Sequence, residues 1–360
     1  MGVTLDPALG GWLAAAAPGL DDGSADPEAV LRRLAGAGLF ALGVPRAEGG
    51  AGGSVTEAVE AIAAVSWHSM AAGFLFWSQR TFIEYLLQSP NAALRVRLLP
   101  DLLAGRVAGA TGLSNAMKFL SGLEELQVTA RPEAAGWRIE GRLPWVTNLA
   151  PGGFHVAAAV ALPGAAPFIA ALPHDLPGLV RSPDLELMGM RATATAAIAL
   201  HGTPVGPQHV LHADAVRWLP QVRPAFLGLQ CGMAIGLARR ALAEAAGHAG
   251  PAREVLRPAR EGLAAALAGQ ERALREGLAQ GLFHADAAAL FRIRIALAGL
   301  VAEAVRLELQ ASGGRAYLRP QGEGFARRWR EAAFVPVITP SLTQLEAALA
   351  AAEGRRERAA

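Results

Sequence analysis

Trp137-Arg138-Ile139-Glu140-Gly141-Arg142-Leu143-Pro144-Trp145-Val146-Thr147-Asn148 is the stretch on which the reading of this chain turns. Upstream, Val128 and Ala130 alternate with polar neighbours. Trp137 and Ile139 do the same after the turn Arg131-Pro132-Glu133-Ala134-Ala135-Gly136. Two alternating runs around a turn predict a β-hairpin. Its second arm ends on a tryptophan, a hydroxyl and an amide within four residues. Val156–Val160, Phe168–Leu172 and Ala194–Leu200 read as further short strands. Prolines and glycines punctuate this zone, so residues 107–212 are expected to form a small β-barrel.

Working outward, both flanks are helical. Residues 1–106 are expected to be an N-terminal helical domain. Val30, Leu31, Leu34 and Leu39 form a helical apolar stripe, with Gly36 and Gly38 near its end. After Gly49-Gly50-Ala51-Gly52-Gly53, Ser54 or Thr56 is placed to cap the next helix, and helix continues over Ala58–Gln88 and Ala92–Ala104. No Gly-Lys-Ser/Thr follows the glycines, so they are not a phosphate-binding loop. Residues 213–360 are expected to be a helical bundle, with segments at Pro224–Ala246, Arg260–Gln280, Ala285–Ser312 and Ser341–Ala352. The fold class is mainly α with a small β-domain in the middle.

The composition narrows the function. The 360 residues suffice for two or three substructures sharing a large core. Apolar residues are 52% of the chain, mostly alanine and leucine, which suits close-packed helices. Cys231 is the only cysteine, which excludes a disulfide framework and points to a reducing, cytoplasmic compartment. The net charge is only +2 and Lys118 is the only lysine. Basic residues are spread along the chain, so nucleic acid is not an expected partner. Met1–Gly10 lacks the pattern of a secretory signal. Val156–Leu172 is uncharged but broken by Pro163, Gly164 and Pro167, and Ala287–Val305 carries Arg292, Arg294 and Glu303. Neither reads as a membrane span.

Five segments, in order, resemble the acyl-CoA dehydrogenase family. Ala37-Gly38-Leu39-Phe40, then Gly43-Val44-Pro45 and Gly49-Gly50, is similar to its Gly-Leu…Pro…Gly-Gly segment. Ala110-Thr111-Gly112-Leu113-Ser114-Asn115 looks like a shortened Thr-Glu-Pro…Gly-Ser-Asp loop. Trp145-Val146-Thr147-Asn148 is close to Trp-Ile-Thr-Asn. Leu187-Met188-Gly189-Met190-Arg191-Ala192-Thr193, then Thr203-Pro204-Val205, resembles Leu-Gly-Met-Arg…Val-Pro, with Arg191 open to a structural ion-pair role. Gln310-Ala311-Ser312-Gly313-Gly314-Arg315-Ala316-Tyr317, then Arg330-Glu331-Ala332, is similar to Gln-x-x-Gly-Gly-x-x-Tyr and Arg-Asp-Ala.

The resemblance implies a helical domain, a β-domain and a four-helix bundle enclosing FAD. Thr111 and Ser114 would offer hydroxyls to the flavin, because electron density gained on reduction needs donors aimed at the ring oxygens. Trp145, Val146 and Thr147 would pack on the ring or reach its central nitrogen. Ser341 is a further expected flavin contact. Gln310, Gly313 and Gly314 would meet the FAD of a neighbouring subunit, as glycine amides suit a diphosphate. A homodimer or homotetramer is expected.

The catalytic base departs from the family. A carboxylate there removes the α-proton of an acyl thioester. Here Ile338-Thr339-Pro340-Ser341 puts Thr339 about where that Glu belongs. A second family location, Arg223-Pro224-Ala225-Phe226-Leu227-Gly228, also has no carboxylate. Asp214, Glu331 and Glu346 are nearby in sequence and read as solvated or ion-paired charges. The family's Arg-x-x-Phe-Gly is replaced by Pro251-Ala252-Arg253-Glu254-Val255-Leu256, leaving Arg253 or Arg257 as substitutes. The expectation is an FAD-dependent oxidoreductase acting on an acyl-CoA, with an electron-transfer or reductase partner. The alternatives are a monooxygenase using reduced flavin from a reductase, and a non-catalytic subunit.

Other residues invite different chemistry. Gly112-Leu113-Ser114-Asn115-Ala116 approaches the hydrolase elbow but lacks its last glycine and its strand-to-helix context. His209 and His212 have no acid or thiol to complete a metal site. His68 reads as part of a packed helix face, and His155 as a candidate for the substrate cavity. Phe74, Phe76, Trp77 and Phe82 read as core or as lining of an apolar pocket.

Overall fold

The computed structural model describes residues 3–120, 122, 124–248 and 250–359. Met1 and Gly2, at the head of the N-terminal stretch read above, lie outside them.

Five helices come first: α1 (Pro7–Asp22), α2 (Pro27–Gly36), α3 (Val55–Ser66), α4 (Met70–Leu87) and α5 (Ala92–Leu103). Helix α1 was not anticipated, because Gly10, Gly11 and Pro18 blur its apolar stripe. Its start was nevertheless written in the sequence. Asp6 accepts from the amides of Ala8 and Leu9, and Pro7 stands at the first helical position. The run expected over Ala58–Gln88 is two helices. Ser54 and Glu57 form a reciprocal cap on α3, and Ser69 caps α4. His68 therefore sits in the turn between them rather than on a helix face.

Helix α4 is buried on nearly every side, including the polar run Ser78-Gln79-Arg80-Thr81. Buried polar groups must be hydrogen-bonded, and Gln79 meets this in full. Its amide nitrogen donates to the carbonyls of Leu102 and Val107, each at 3.0 Å. Its oxygen accepts from the Gly109 amide at 2.6 Å and from Asn148 Nδ2 at 3.0 Å. Ser78 Oγ lies 3.1 Å from the Gly109 carbonyl and 3.2 Å from that of Thr147. One turn of α4 thus fixes the first strand and the Thr147-Asn148 turn together.

The strands are β1 (Ala108–Thr111), β2 (Val128–Glu133), β3 (Gly136–Val146), β4 (Phe154–Val160), β5 (Phe168–Pro173), β6 (Leu179–Arg181), β7 (Ala196–Val205) and β8 (Val210–His212), with the short helix α6 (Ser114–Leu120) after β1. The expected hairpin is β2–β3, paired antiparallel from Val128↔Gly141 to Glu133↔Gly136. In place of one barrel the strands form two four-stranded sheets, ordered β1-β4-β5-β8 and β2-β3-β7-β6. They touch at the Thr129↔Ala161 bridge, where Ala130 donates to Ala161 and Ala161 to Val128, each at 2.8 Å. Register shifts between Leu143 and Val146 bend the end of β3.

The chain closes with α7 (Ala215–Gly247), α8 (Arg257–Ala279), α9 (Leu282–Ala285), α10 (Ala287–Ser312), α11 (Glu323–Phe334) and α12 (Leu342–Ala359). Helix α7 runs straight through Pro220 and Pro224, where its start was expected. Asp214 caps it earlier, by accepting from Arg217, and its burial against α3, α4 and α10 outweighs the lost backbone bonds. Gly232 and Gly236 permit the close contact with α3: a Cβ there would stand 2.6 Å from the Val59 carbonyl and 2.2 Å from that of Ala63. One segment, Glu323–Gly354, is apolar and long enough for a membrane span. It is two helices, α11 and α12, separated by the turn over residues 335–341.

His155, on β4, stacks on Phe82 of α4 with centroids 6.3 Å apart. Its Nδ1 is buried with no hydrogen-bond partner among the described residues. Burial, helped by the nearby Arg97 charge, pushes its pKa down to about 4. The folded state therefore refuses a proton that the unfolded chain accepts below about 6.5.

Two predictions follow from these contacts. Gln79→Leu removes four buried hydrogen bonds, among them the one to the Gly109 amide, and lowers stability by roughly 3–5 kcal/mol, read from urea unfolding. Stability held by neutral His155 is present above pH 6.5 and is lost as the pH falls from 6.5 towards 4. This loss is on the order of 3 kcal/mol. His155→Leu removes that part of the acid slope, measured as the difference between wild-type and variant unfolding curves across this range.

Candidate active site

A cavity of about 430 Å³ lies where α4, the end of β1, the end of β3, α7 and the 335–341 turn converge. Six residues expected at the flavin or at the position of the base line it together: Thr111, Ser114, Trp145, Thr147, Thr339 and Ser341. They come from three separate stretches, so the fold and not the sequence makes them neighbours. Val146 is buried in the strand end beside them.

The floor is aromatic. Phe74 stacks on Trp77 at 5.4 Å, and Phe334 meets Phe74 edge-on at the same distance. Phe226 tilts against Trp77, whose indole N–H donates to the Phe226 carbonyl at 3.3 Å. At the mouth, the Trp145 side chain is 62% exposed, unusual for a tryptophan, and it presents a flat apolar face.

The opposite side carries hydroxyls. Thr111 Oγ1 is 2.9 Å from the phenol of Tyr85. Tyr85 is fully buried, and burial pushes its pKa up beyond the usual phenol range. Its proton needs an acceptor, and Thr111 is the acceptor within reach, so Thr111 keeps its own proton for the cavity. Gly112 lets this loop close: a Cβ there would lie 2.7 Å from the Ala157 carbonyl. Thr147 Oγ1 is 2.9 Å from Thr195 Oγ1, which also lines the cavity. Thr195 and Lys118 were not singled out as site residues. The alternation Ala192-Thr193-Ala194-Thr195 was the available signal for the threonine.

The 335–341 wall is held from behind. Arg294 is 1% exposed and has no carboxylate partner among the described residues. It donates to Gln230 Oε1 at 2.7 Å and to the Val335 carbonyl at 2.6 Å. Gln230 in turn donates to the Thr339 carbonyl at 3.0 Å. Glu331 is buried, not solvated: it accepts from the Met70 amide and from Arg327 at 2.6 Å, and burial holds its carboxyl above the ordinary range.

No Asp or Glu is among the described residues that line the cavity. Among the described residues, Lys118 is the one charged residue that lines it, paired with Glu124 at 2.6 Å. Asp214 caps α7, and Glu346 is exposed on α12. His155 is not among the residues that line the cavity, which corrects its reading as a cavity residue; it stacks on Phe82 instead. His209 and His212 bind neighbouring backbone groups, and no metal-binding cluster occurs among the described residues. Arg191 pairs at the surface with Glu186 at 3.3 Å.

Gln310, Gly313 and Gly314 are not in the cavity. They lie at the end of α10, with Gln310 and Gly314 exposed. The Arg253 guanidinium comes within 3.7 Å of the point a Cβ would occupy on Gly313. Beyond this turn, Ala316 and Tyr317 border an open groove of about 700 Å³ between α1 and α11, lined by both arginines and carboxylates. That groove collects none of the Thr and Trp residues above.

Comparison with known proteins gives the fold its relatives. Residues 13–106 match the family model described as acyl-CoA dehydrogenase, N-terminal domain. Benzylmalonyl-CoA dehydrogenase of Aromatoleum aromaticum is 28% identical over 250 residues, covering 68% of this chain and 66% of that protein, just under two thirds of its length. A glutaryl-coenzyme A dehydrogenase in complex with glutaryl-CoA superposes over 97% of this chain and 96% of its own, with a TM-score of 0.81 at 17% identity. FMN-bound TdsC, a dibenzothiophene monooxygenase from Paenibacillus sp. A11-2, does so over 94% of each chain, with a TM-score of 0.81 at 21% identity. Residues 13–106 thus match the acyl-CoA dehydrogenase N-terminal domain, and the chain as a whole has the acyl-CoA dehydrogenase-like fold.

Proposed function

We propose that this chain is a flavin-dependent oxidoreductase whose 430 Å³ cavity receives the flavin ring beside an acyl thioester. One observation carries the reading: a single cavity gathers an aromatic floor, an exposed tryptophan face and a hydroxyl-lined edge. A flavin ring has apolar faces and a polar edge, and the volume lies within the range of small-molecule sites. The donor hydroxyl of Thr111, with Ser114 and Ser341, suits the ring carbonyls, and Trp145 suits a face. Bound there, the flavin supplies the redox step, as hydride acceptor or, when reduced, as electron donor to O₂. FAD is the flavin proposed, with its diphosphate reaching Gln310, Gly313, Gly314 and Arg253 of a second copy in a cytoplasmic homodimer or homotetramer.

The residues constrain the substrate. Thr339 cannot take a proton near neutral pH. Without a base, the α-carbanion can form from a malonyl-type thioester, whose α-carboxylate leaves as CO₂ while the C–C bonding pair stays on the α-carbon, so no α-proton has to be removed. Lys118 would meet the extra carboxylate of that substrate. The benzylmalonyl-CoA named in the relative is of this kind.

The absence of a lining carboxylate among the described residues also favours a second reading. A monooxygenase removes no α-proton. It needs a cavity that excludes water and a reductase that delivers reduced flavin. A non-catalytic role would require that the chain bind no flavin.

Flavin-loaded protein is mixed anaerobically with malonyl-type and simple acyl-CoAs. Bleaching of the flavin by the malonyl-type thioester is expected, and Lys118→Met raises KM for it at least tenfold with a smaller change for a simple acyl-CoA. No bleaching by any thioester removes the dehydrogenase reading. Oxygenated product formed from reduced flavin and O₂ then supports the monooxygenase.

A further inference from the structure

Three buried threonines stand in single file beside the cavity. Thr193 Oγ1 lies 2.8 Å from the Met190 carbonyl oxygen. Thr195 Oγ1 lies 2.8 Å from Thr193 Oγ1, and Thr147 Oγ1 lies 2.9 Å from Thr195 Oγ1. All three residues are at most 6% exposed, with Thr193 fully buried.

The order of protons along this file follows from counting. A hydroxyl has one proton and two lone pairs, and a carbonyl has no proton. Thr193 must therefore donate to Met190. Its proton is then committed, so Thr195 donates to Thr193. By the same step Thr147 donates to Thr195. Thr147 reaches the cavity with lone pairs only. Thr111 on the same cavity is the opposite case, an acceptor from Tyr85 with its proton free.

The backbone maintains this order. Met190 and Ala194 have φ of 53° and 46°, a conformation side-chain-bearing residues seldom adopt. Asp21 holds the Met190 amide at 2.9 Å. The amides of Asn148 and Leu149 hold the carbonyls of Thr193 and Ala194, each at 3.0 Å. Strain kept in place by several hydrogen bonds is a recurrent mark of functional positions.

We propose that this threonine file fixes Thr147 as a hydrogen-bond acceptor and thereby makes the cavity prefer reduced over oxidised flavin. Reduction adds a ring N–H that the oxidised ring lacks. An acceptor-only Thr147 can receive that hydrogen but has none to offer the bare nitrogen. The proposal rests on the reading that the cavity holds the flavin ring. Thr193 and Thr195 are positioning residues in it, since they act through Thr147.

The test measures dissociation constants of oxidised and reduced FAD and FMN anaerobically, together with the midpoint potential of the loaded protein. Wild type and Thr193→Ser, which keeps the file, are expected to bind reduced flavin more tightly. Thr193→Val and Thr195→Val free the Thr147 proton. Their preference for reduced flavin should fall about fivefold, the worth of one hydrogen bond, which is roughly 20 mV more negative for a two-electron couple. An unchanged ratio in both valine variants, with flavin bound, overturns the proposal alone. Flavin bound in neither redox state by wild type removes the cavity reading and the proposal with it.

Discussion

The amide of Gln79 is the interaction on which the arrangement depends. It sits in the middle of a helix with no solvated face, so all four of its hydrogen-bonding positions must be filled by protein. The partners are the end of α5, the approach to β1, the first turn of β1 and the side chain of Asn148. A hydrophobic residue in its place would pack, but would not define where two sheets end relative to one helix. Ser78 adds the Thr147 carbonyl to the same set. The hydroxyls of Thr111 and Thr147 thus face a common space because α4 holds the backbone of both strand ends.

Much of this was legible in the sequence, and the part that was not has definite causes. The hairpin was readable from the alternation at Val128, Ala130, Trp137 and Ile139, because a half-buried sheet imposes a period of two. The split between α3 and α4 was harder, since His68 and Ser69 interrupt an apolar run without glycine or proline. Helix α7 was misjudged at its start because Pro224 reads locally as a boundary, whereas tertiary burial of the whole helix decides. The closure of strands into two sheets depends on pairings such as Thr129 with Ala161, which leave no local mark.

The site shows the same division. Trp145 and Thr147 were found because a four-residue motif carries them, and Thr111 and Ser114 because a loop does. Thr193 and Thr195 went unassigned, since their role arises from the left-handed backbone at Met190 and Ala194 and from contact with a strand 48 residues earlier. Gln310, Gly313 and Gly314 were legible as a motif, yet within one chain they stand apart from the cavity. Their place in the account requires a second copy.

Chemistry separates this cavity from a simple dehydrogenase site. Where a carboxylate base would serve, Thr339 stands, with its carbonyl fixed by Gln230 and Arg294. The wall is rigidly built but contributes no proton acceptor of the usual kind, so the substrate must release its α-electron pair by losing CO₂ or the reaction must not require that pair. Either way the central claim is that the cavity holds the flavin ring with Thr111 as a donor to it. The most direct measurement is flavin affinity and stoichiometry in wild type and in Thr111→Val, which keeps the shape and removes the proton. The account predicts one flavin per chain and a roughly five- to tenfold weaker Kd in the variant; identical affinity in the two proteins would contradict it.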